Sequence, residues 1–234
     1  VKRYVGSLGL EGSNYDLGRD AAGNVYILFK AGNALYFGRI VDGEVVDLET
    51  LPESSGVHVR YTRPRLAVRP DGESIHTAWI SGTPGEQVYH LWRDEDGQWT
   101  REVAWSNGGA EEWAACPSVG VDADGAVHLI AQKWWYDGQD QDESSIVYVR
   151  RDGGGAWSSE TVLWSEADKN WRDTSMFTDL DGGVHGTWKS LYRAGKYGYA
   201  ASGDTLADHS IADIPIPDGE NTLSFGDTFV TASG

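Results

Sequence analysis

PSVGVDADGAVHLIA, residues 117–131, decides the fold because its pattern returns along the chain. It recurs as YDLGRDAAGNVYILF at 15–29, PRLAVRPDGESIHTAW at 64–79 and TSMFTDLDGGVHGTW at 174–188, and starts once more as GDTFVTASG at 226–234. The turn glycines Gly23, Gly72, Gly125, Gly182 and Gly234 are therefore spaced by 49, 53, 57 and 52 residues. A repeat of that length, filled with strand patterns and free of helical periodicity, marks a radial all-β array of four-stranded antiparallel blades.

Each copy carries the same punctuation. Between its first and second strands stands Asp71-Gly72, Asp124-Gly125 or Asp181-Gly182, with Ala22-Gly23 in the first copy. These turns need a positive backbone angle that glycine adopts at little cost. Between the third and fourth strands comes Asp42-Gly43, Asp96-Gly97 or Asp152-Gly153. Each blade is thus an up-and-down meander, and the four complete blades span about 15–51, 64–105, 117–164 and 173–216 of a single domain, 1–234. Residues 2–8, KRYVGSL, resemble the outer strands TREVAW (100–105) and SSETVLW (158–164), so 2–8 and 225–234 supply parts of a further blade. A ring removes its sheet edges by closing on itself. With two strands missing from that blade, the expectation is a larger ring completed by the remainder of the protein or by another chain.

Composition narrows the partners. Thirty glycines suit many tight turns, and eleven tryptophans suit blade interfaces or sugar-stacking surfaces. The net charge of −17, from 36 acidic and 19 basic residues, argues against nucleic acid and against an anionic membrane surface, both of which need clustered Lys and Arg. No apolar run approaches the ~18 residues of a membrane-spanning helix. Cys116 stands alone, so no intramolecular disulfide is expected, and its place before Pro117 reads as a buried small hydrophobe. The chain opens on Val1, which fits a processed product and a secreted or periplasmic location.

RDEDGQW at 93–99 and RRDGGGAW at 150–157 resemble degenerate Asp-box turns of the sialidase-like, or BNR-repeat, β-propellers, whose motif runs Ser-x-Asp-x-Gly-x-Thr-Trp. In the third blade Asp152, Gly154 and Trp157 match, while Arg150 replaces the serine and Ala156 the threonine. In the second, Asp94 and Trp99 keep their separation but Asp96 stands where glycine belongs; in the fourth, Ser202 and Asp204 match with no following tryptophan. The resemblance implies a propeller of the kind found among secreted carbohydrate-active proteins, including sialidases, other glycosidases and polysaccharide lyases. His76, His128 and His185 hold one repeat position, with Tyr26 in the first blade, which assigns them to the scaffold.

The connections between blades and the second-to-third turns share one face and are long and unequal, the usual address of function. They gather Asn14, Tyr15 and Asp16; His58, Arg60, Tyr61 and Arg63; Glu111, Glu112 and Trp113; Trp134, Trp135, Tyr136 and Asp137; Trp171, Arg172 and Asp173; and Tyr192, Arg193 and Lys196. Aromatic faces stack on sugar rings, and arginine forks hold carboxylates. The candidate substrate-binding residues are Arg60, Arg63, Trp113, Trp135, Tyr136, Trp171, Arg172 and Arg193, and the candidate catalytic ones are His58, Tyr61, Tyr192, Glu112 and Asp173. In hydrolysis a carboxylate pair supplies acid and base, or a tyrosine is the nucleophile, as the resemblance to sialidases implies. In β-elimination from a uronic acid polymer an arginine neutralises the carboxylate while His58 or a tyrosine removes the C5 proton. QDQDES (139–144) lacks the glycine and terminal Glu of a Ca²⁺ loop, so no metal and no cofactor are expected. Two readings stand: an enzyme acting on acidic polysaccharide, and a non-catalytic lectin-like or protein-interaction propeller.

Overall fold

The computed structural model describes residues 15–32, 34–52, 64–81, 87–106, 112–136, 142–153, 155–166, 171–179, 181–190, 195–206 and 212–214. Their strands form four antiparallel sheets, each with its four strands in chain order. The first blade holds β1 (Tyr15–Arg19), β2 (Val25–Ala31), β3 (Ala34–Val41) and β4 (Glu44–Thr50). The second holds β5 (Arg65–Val68), β6 (Ile75–Ser81), β7 (Gln87–Arg93) and β8 (Trp99–Ser106). The third comprises β9 (Glu112–Val121), β10 (Val127–Tyr136), β11 (Asp142–Arg151) and β12 (Thr161–Glu166), and the fourth β13 (Trp171–Thr178), β14 (Val184–Ser190), β15 (Gly195–Ala200) and β16 (Ala212–Ile214). This is the β-propeller of four-stranded blades that the repeat demands. The segments 2–8 and 225–234, expected to build a further blade, lie outside the described residues.

The first turn follows one plan in all four blades, with one extra residue in the second, where Arg69 N–H donates to Ser74 O at 3.0 Å. In the third blade Asp122 N–H donates to Ala126 O (2.9 Å) and Gly125 N–H to Asp122 O (3.0 Å), and Gly125 has φ +83°. Gly23, Gly72 and Gly182 repeat that geometry with φ of +92°, +79° and +83°. It is a type I turn closed by a left-handed residue, which returns the chain antiparallel and fixes the register.

The core lies between blades. One buried cluster joins Leu28, Leu35 and Phe37 of the first blade to Leu66, Ile75, Trp79 and Leu91 of the second. A second joins Ala78, Ile80, Val88 and Trp105 to Val119, Val121, Leu129 and Val149 of the third. A third joins Ile130, Ile146 and Tyr148 to Met176, Val184, Trp188 and Leu206 of the fourth. Glycines let the sheets approach closely: a Cβ on Gly18 would lie 2.6 Å from Val68 Cγ2, and one on the equivalent Gly120 would lie 2.8 Å from Val184 Cγ1. Trp99 and Trp157, the aromatic ends of RDEDGQW and RRDGGGAW, pack against these clusters.

Several boundaries differ from the sequence reading. β9 starts at Glu112 rather than Pro117, β13 at Trp171 rather than 173, and β10 runs to Tyr136. Glu112, Trp113, Trp171, Arg172, Trp134, Trp135 and Tyr136, read as connections or turns, are therefore strand residues. The reason is a bulge. In β9, Ser118 pairs with Ile130 and Ala115 with Gln132, so Cys116 and Pro117 together oppose one residue of β10. A bulge needs no ladder donor at its extra residue, so the proline does not end the strand. β13 repeats the device, with the register shifting between Arg172 and Ser175. Cys116 is accordingly half-buried rather than a core residue, and it holds φ +46°, rare for a side chain with a Cβ.

Candidate functional site

The inner strands β1, β5, β9 and β13 run side by side in the same direction, and side chains tie the first to the second, the third to the fourth and the second to the fourth. Leu66 N–H donates to Asp16 Oδ2 at 2.8 Å, joining the first blade to the second. The Thr174 hydroxyl donates to the Cys116 carbonyl, and Thr178 Oγ1 both accepts from Val121 N–H (3.1 Å) and donates to Val121 O (2.8 Å), joining the third to the fourth. Arg65 Nη2 donates to Thr174 O at 3.0 Å, linking the second blade to the fourth. Backbone groups on the inner edges of the second, third and fourth sheets are thereby satisfied by side chains of other sheets.

These ties place the starts of the inner strands at one end of the hub, opposite the glycine turns. Asp16, Arg65, Ser118 and Ser175 occupy equivalent positions in the four copies, a carboxylate, a guanidinium and two hydroxyls, of which Ser118 is fully buried. Both Asp16 oxygens accept backbone N–H groups, Oδ1 from Leu17 at 3.0 Å and Oδ2 from Leu66, which fixes the carboxylate's orientation. Lys30, near the same end of β2, is 8% exposed, and burial lowers its ammonium below the usual lysine range.

The backbone brings several sequence-derived candidates to that end. Glu112 and Trp113 open β9 and pair with Trp135 and Trp134 of β10; Trp135 and Tyr136 pair in turn with Glu143 and Asp142 of β11. Trp171 and Arg172 open β13 opposite Ser190 and Lys189, with Asp173 in the bulge that follows. His58, Arg60, Tyr61, Arg63, Tyr192 and Arg193 lie outside the described residues. Sequence reasoning placed Asp16 on this face without its bond to Leu66, and did not single out Arg65. Asp16 lies 50 residues from its partner Leu66, and Arg65 lies 109 residues from Thr174, so no local pattern signals either.

The repeat histidines are hydrogen-bonded scaffold. His128 Nε2 meets Asp122 Oδ2 at 3.4 Å and its Nδ1 the Tyr148 hydroxyl at 2.9 Å; His185 Nε2 meets Asp179 Oδ2 at 2.8 Å and its Nδ1 the Tyr197 hydroxyl at 2.7 Å. Burial alone would raise the Asp122 carboxyl, but bonds from His128 and from the Gly203 and Ala126 N–H groups hold it below the ordinary aspartate value. Asp179 behaves likewise: burial is outweighed by His185 and the Gly183 and Asp181 N–H groups. Among the described residues no group of three or more His, Cys, Asp or Glu could hold a metal ion.

No protein-family model and no curated protein sequence matches the chain. Solved structures do. The α-L-arabinanase of Penicillium chrysogenum, crystallised with arabinobiose, superposes with a TM-score of 0.60 at 10% identity, over 90% of this chain and 68% of that one. An endo-arabinase from Bacteroides thetaiotaomicron gives 0.54 at 13% identity, over 82% of this chain and 75% of that one. A Dyadobacter fermentans protein of unknown function gives 0.53 at 12% identity, over 82% and 66%. At such identities the likeness is one of fold: this chain shares the propeller architecture of carbohydrate-cleaving enzymes.

Proposed function

We propose that this propeller cleaves a polysaccharide by hydrolysis at the strand-start end of the hub, with Asp16, Glu112 and Asp173 as its carboxylates. The observation that carries the reading is the chemical inequality of equivalent positions there. Repeating pockets, as a multivalent lectin needs, would repeat their residues; Asp16, Arg65, Ser118 and Ser175 do not. Glycoside hydrolysis requires one carboxyl group to protonate the leaving oxygen and a second to activate water or attack the sugar. Carboxylate residues from three inner strands near one axis suit that task, Trp113, Trp135 and Trp171 would stack on sugar rings, and Arg65 and Arg172 would favour a substrate bearing acid groups. Two of the fold relatives above are named for cleaving arabinan, which supports a polymeric substrate. Such polymers lie outside the cell, where the protein would work.

The test is incubation with linear arabinan, uronic acid polymers and sialylated glycans, following new reducing ends and the ultraviolet absorbance of unsaturated products separately. We expect reducing ends without unsaturation, and a loss of about 10²–10⁴-fold in Asp16→Asn, Glu112→Gln or Asp173→Asn. Unsaturated product would replace hydrolysis by elimination. Glycan binding with no cleavage of any polymer would replace the enzyme by a lectin.

A further inference from the structure

The second blade departs from its copies at three equivalent positions simultaneously. Where the others have Asp20, Asp122 and Asp179 at the first turn it has Arg69. Where they have Asn24, Ala126 and Gly183 it has Ser74, and where they have Phe37, Tyr148 and Tyr197 it has His90. The result is a continuous line of side chains. Ser74 Oγ lies 2.8 Å from His76 Nε2, His76 Nδ1 lies 3.0 Å from His90 Nε2, and His90 Nδ1 lies 3.0 Å from Glu102 Oε1. Both rings are buried, at 4% and 0% exposure, and they meet edge to edge, with centroids 5.2 Å apart and planes 11° from parallel.

Donors and acceptors along this line assign its direction. An ionised Glu102 only accepts, so His90 carries its proton on Nδ1. His90 Nε2 must then accept from His76 Nδ1–H, and His76 Nε2 accepts the Ser74 hydroxyl. In the third and fourth blades the carboxylate stands at the turn, so His128 and His185 carry the proton on Nε2 and receive a tyrosine hydroxyl at Nδ1. The second blade thus runs the bond line in reverse, with its acid on the outer strand. That acid is also a clamp: Glu102 Oε1 accepts the Trp157 indole N–H at 2.8 Å and pairs with Arg151 Nε at 3.0 Å, both from the third blade.

We propose that the hydrogen-bonded His76–His90 pair is an acid-operated release of the clamp between the second and third blades. Neutral and aligned, the pair holds Glu102 against Trp157 and Arg151. An added proton has no good place. The charged groups facing the pair are Arg69, Arg151 and Glu102. Arg69 is held at the turn by Asp71 and Glu73, and Arg151 lies over the Trp92 ring. Burial, then His90 and the two arginines, hold His76 well below the usual histidine range; burial lowers His90 too, against the opposing pull of Glu102. A histidine neutral in the closed seam and protonated in the open one stabilises closure above about pH 6.5, and that stabilisation is lost as pH falls below it. At about pH 5 each such histidine favours opening by about 30-fold.

Hydrogen exchange of the Trp157 indole and of the β8 amides, corrected for the intrinsic pH effect, reads the seam directly. The control is His76→Tyr with His90→Phe, which installs the first blade's own pair, Tyr26 and Phe37, stacked at 5.9 Å. Wild type is expected to lose protection by about 30-fold or more between about pH 7.5 and 5, and the double variant is expected to stay flat. Equal losses in both, or none in wild type, overturn the proposal. Should the variant not fold, ¹⁵N spectra of wild type decide: His76 and His90 must show the Nδ1–H tautomer, opposite to His128 and His185, and must stay neutral while the seam is protected. Either ring titrating like a free histidine in a closed seam refutes it.

Discussion

Thr178 is where the hub's construction can be measured with one atom. Its hydroxyl satisfies both backbone groups of Val121, a residue with no exposed surface, across the seam between the third and fourth blades. Thr178→Val keeps the shape and removes both bonds. Two buried main-chain groups are then left without a partner, at about 1–3 kcal/mol each, and partial relaxation brings the expected loss to about 2–4 kcal/mol. Thr178→Ser keeps the oxygen and loses one methyl, which costs about 1 kcal/mol. Urea unfolding of the three proteins, read as midpoint and slope, separates the two effects, because neither change alters the surface exposed on unfolding. A valine variant no less stable than the serine variant would refute the claim that side chains, rather than packing alone, join the inner strands.

Two further outcomes follow from the same geometry. Cys116→Gly should lie within about 1 kcal/mol of wild type, since glycine adopts φ +46° freely, whereas Cys116→Val should lose about 1–3 kcal/mol more by forcing a β-branched residue into it; denaturant midpoints check both. Asp122 and Asp179 have folded values below the ordinary 3.8, so their stabilisation is complete above about pH 4 and disappears as pH falls through those lowered values. Melting temperatures of wild type and Asp179→Asn should therefore differ at neutral pH and converge on acidification below that window.

The fold was legible because glycine spacing and alternation are local signals repeated four times. The turns at Gly23, Gly72, Gly125 and Gly182 could be placed to the residue, since a left-handed position strongly favours glycine. The candidate site was legible only as a face. Pro117 was read as a strand opening from the start of the repeated pattern, and the bulge that accommodates it with Cys116 has no sequence signature of its own. Trp134, Trp135 and Tyr136 were placed at the second-to-third turn, yet all three are paired strand residues. Arg65 looked like an ordinary strand residue because its acceptor, Thr174, belongs to a different copy. His90 was the missed signal that could have been found: aligning the third strands sets it against Tyr148, Tyr197 and Phe37, the position where one copy exchanges a hydroxyl or a bare ring for an imidazole.

Each apolar cluster draws its side chains from two successive sheets. The smallest cohesive unit of the molecule is therefore a couple of neighbours rather than a lone meander. The glue sits below the rim, so loops at the rim can lengthen, shorten or exchange residues without disturbing it. An architecture held at its joints leaves its mouth free to evolve new appetites.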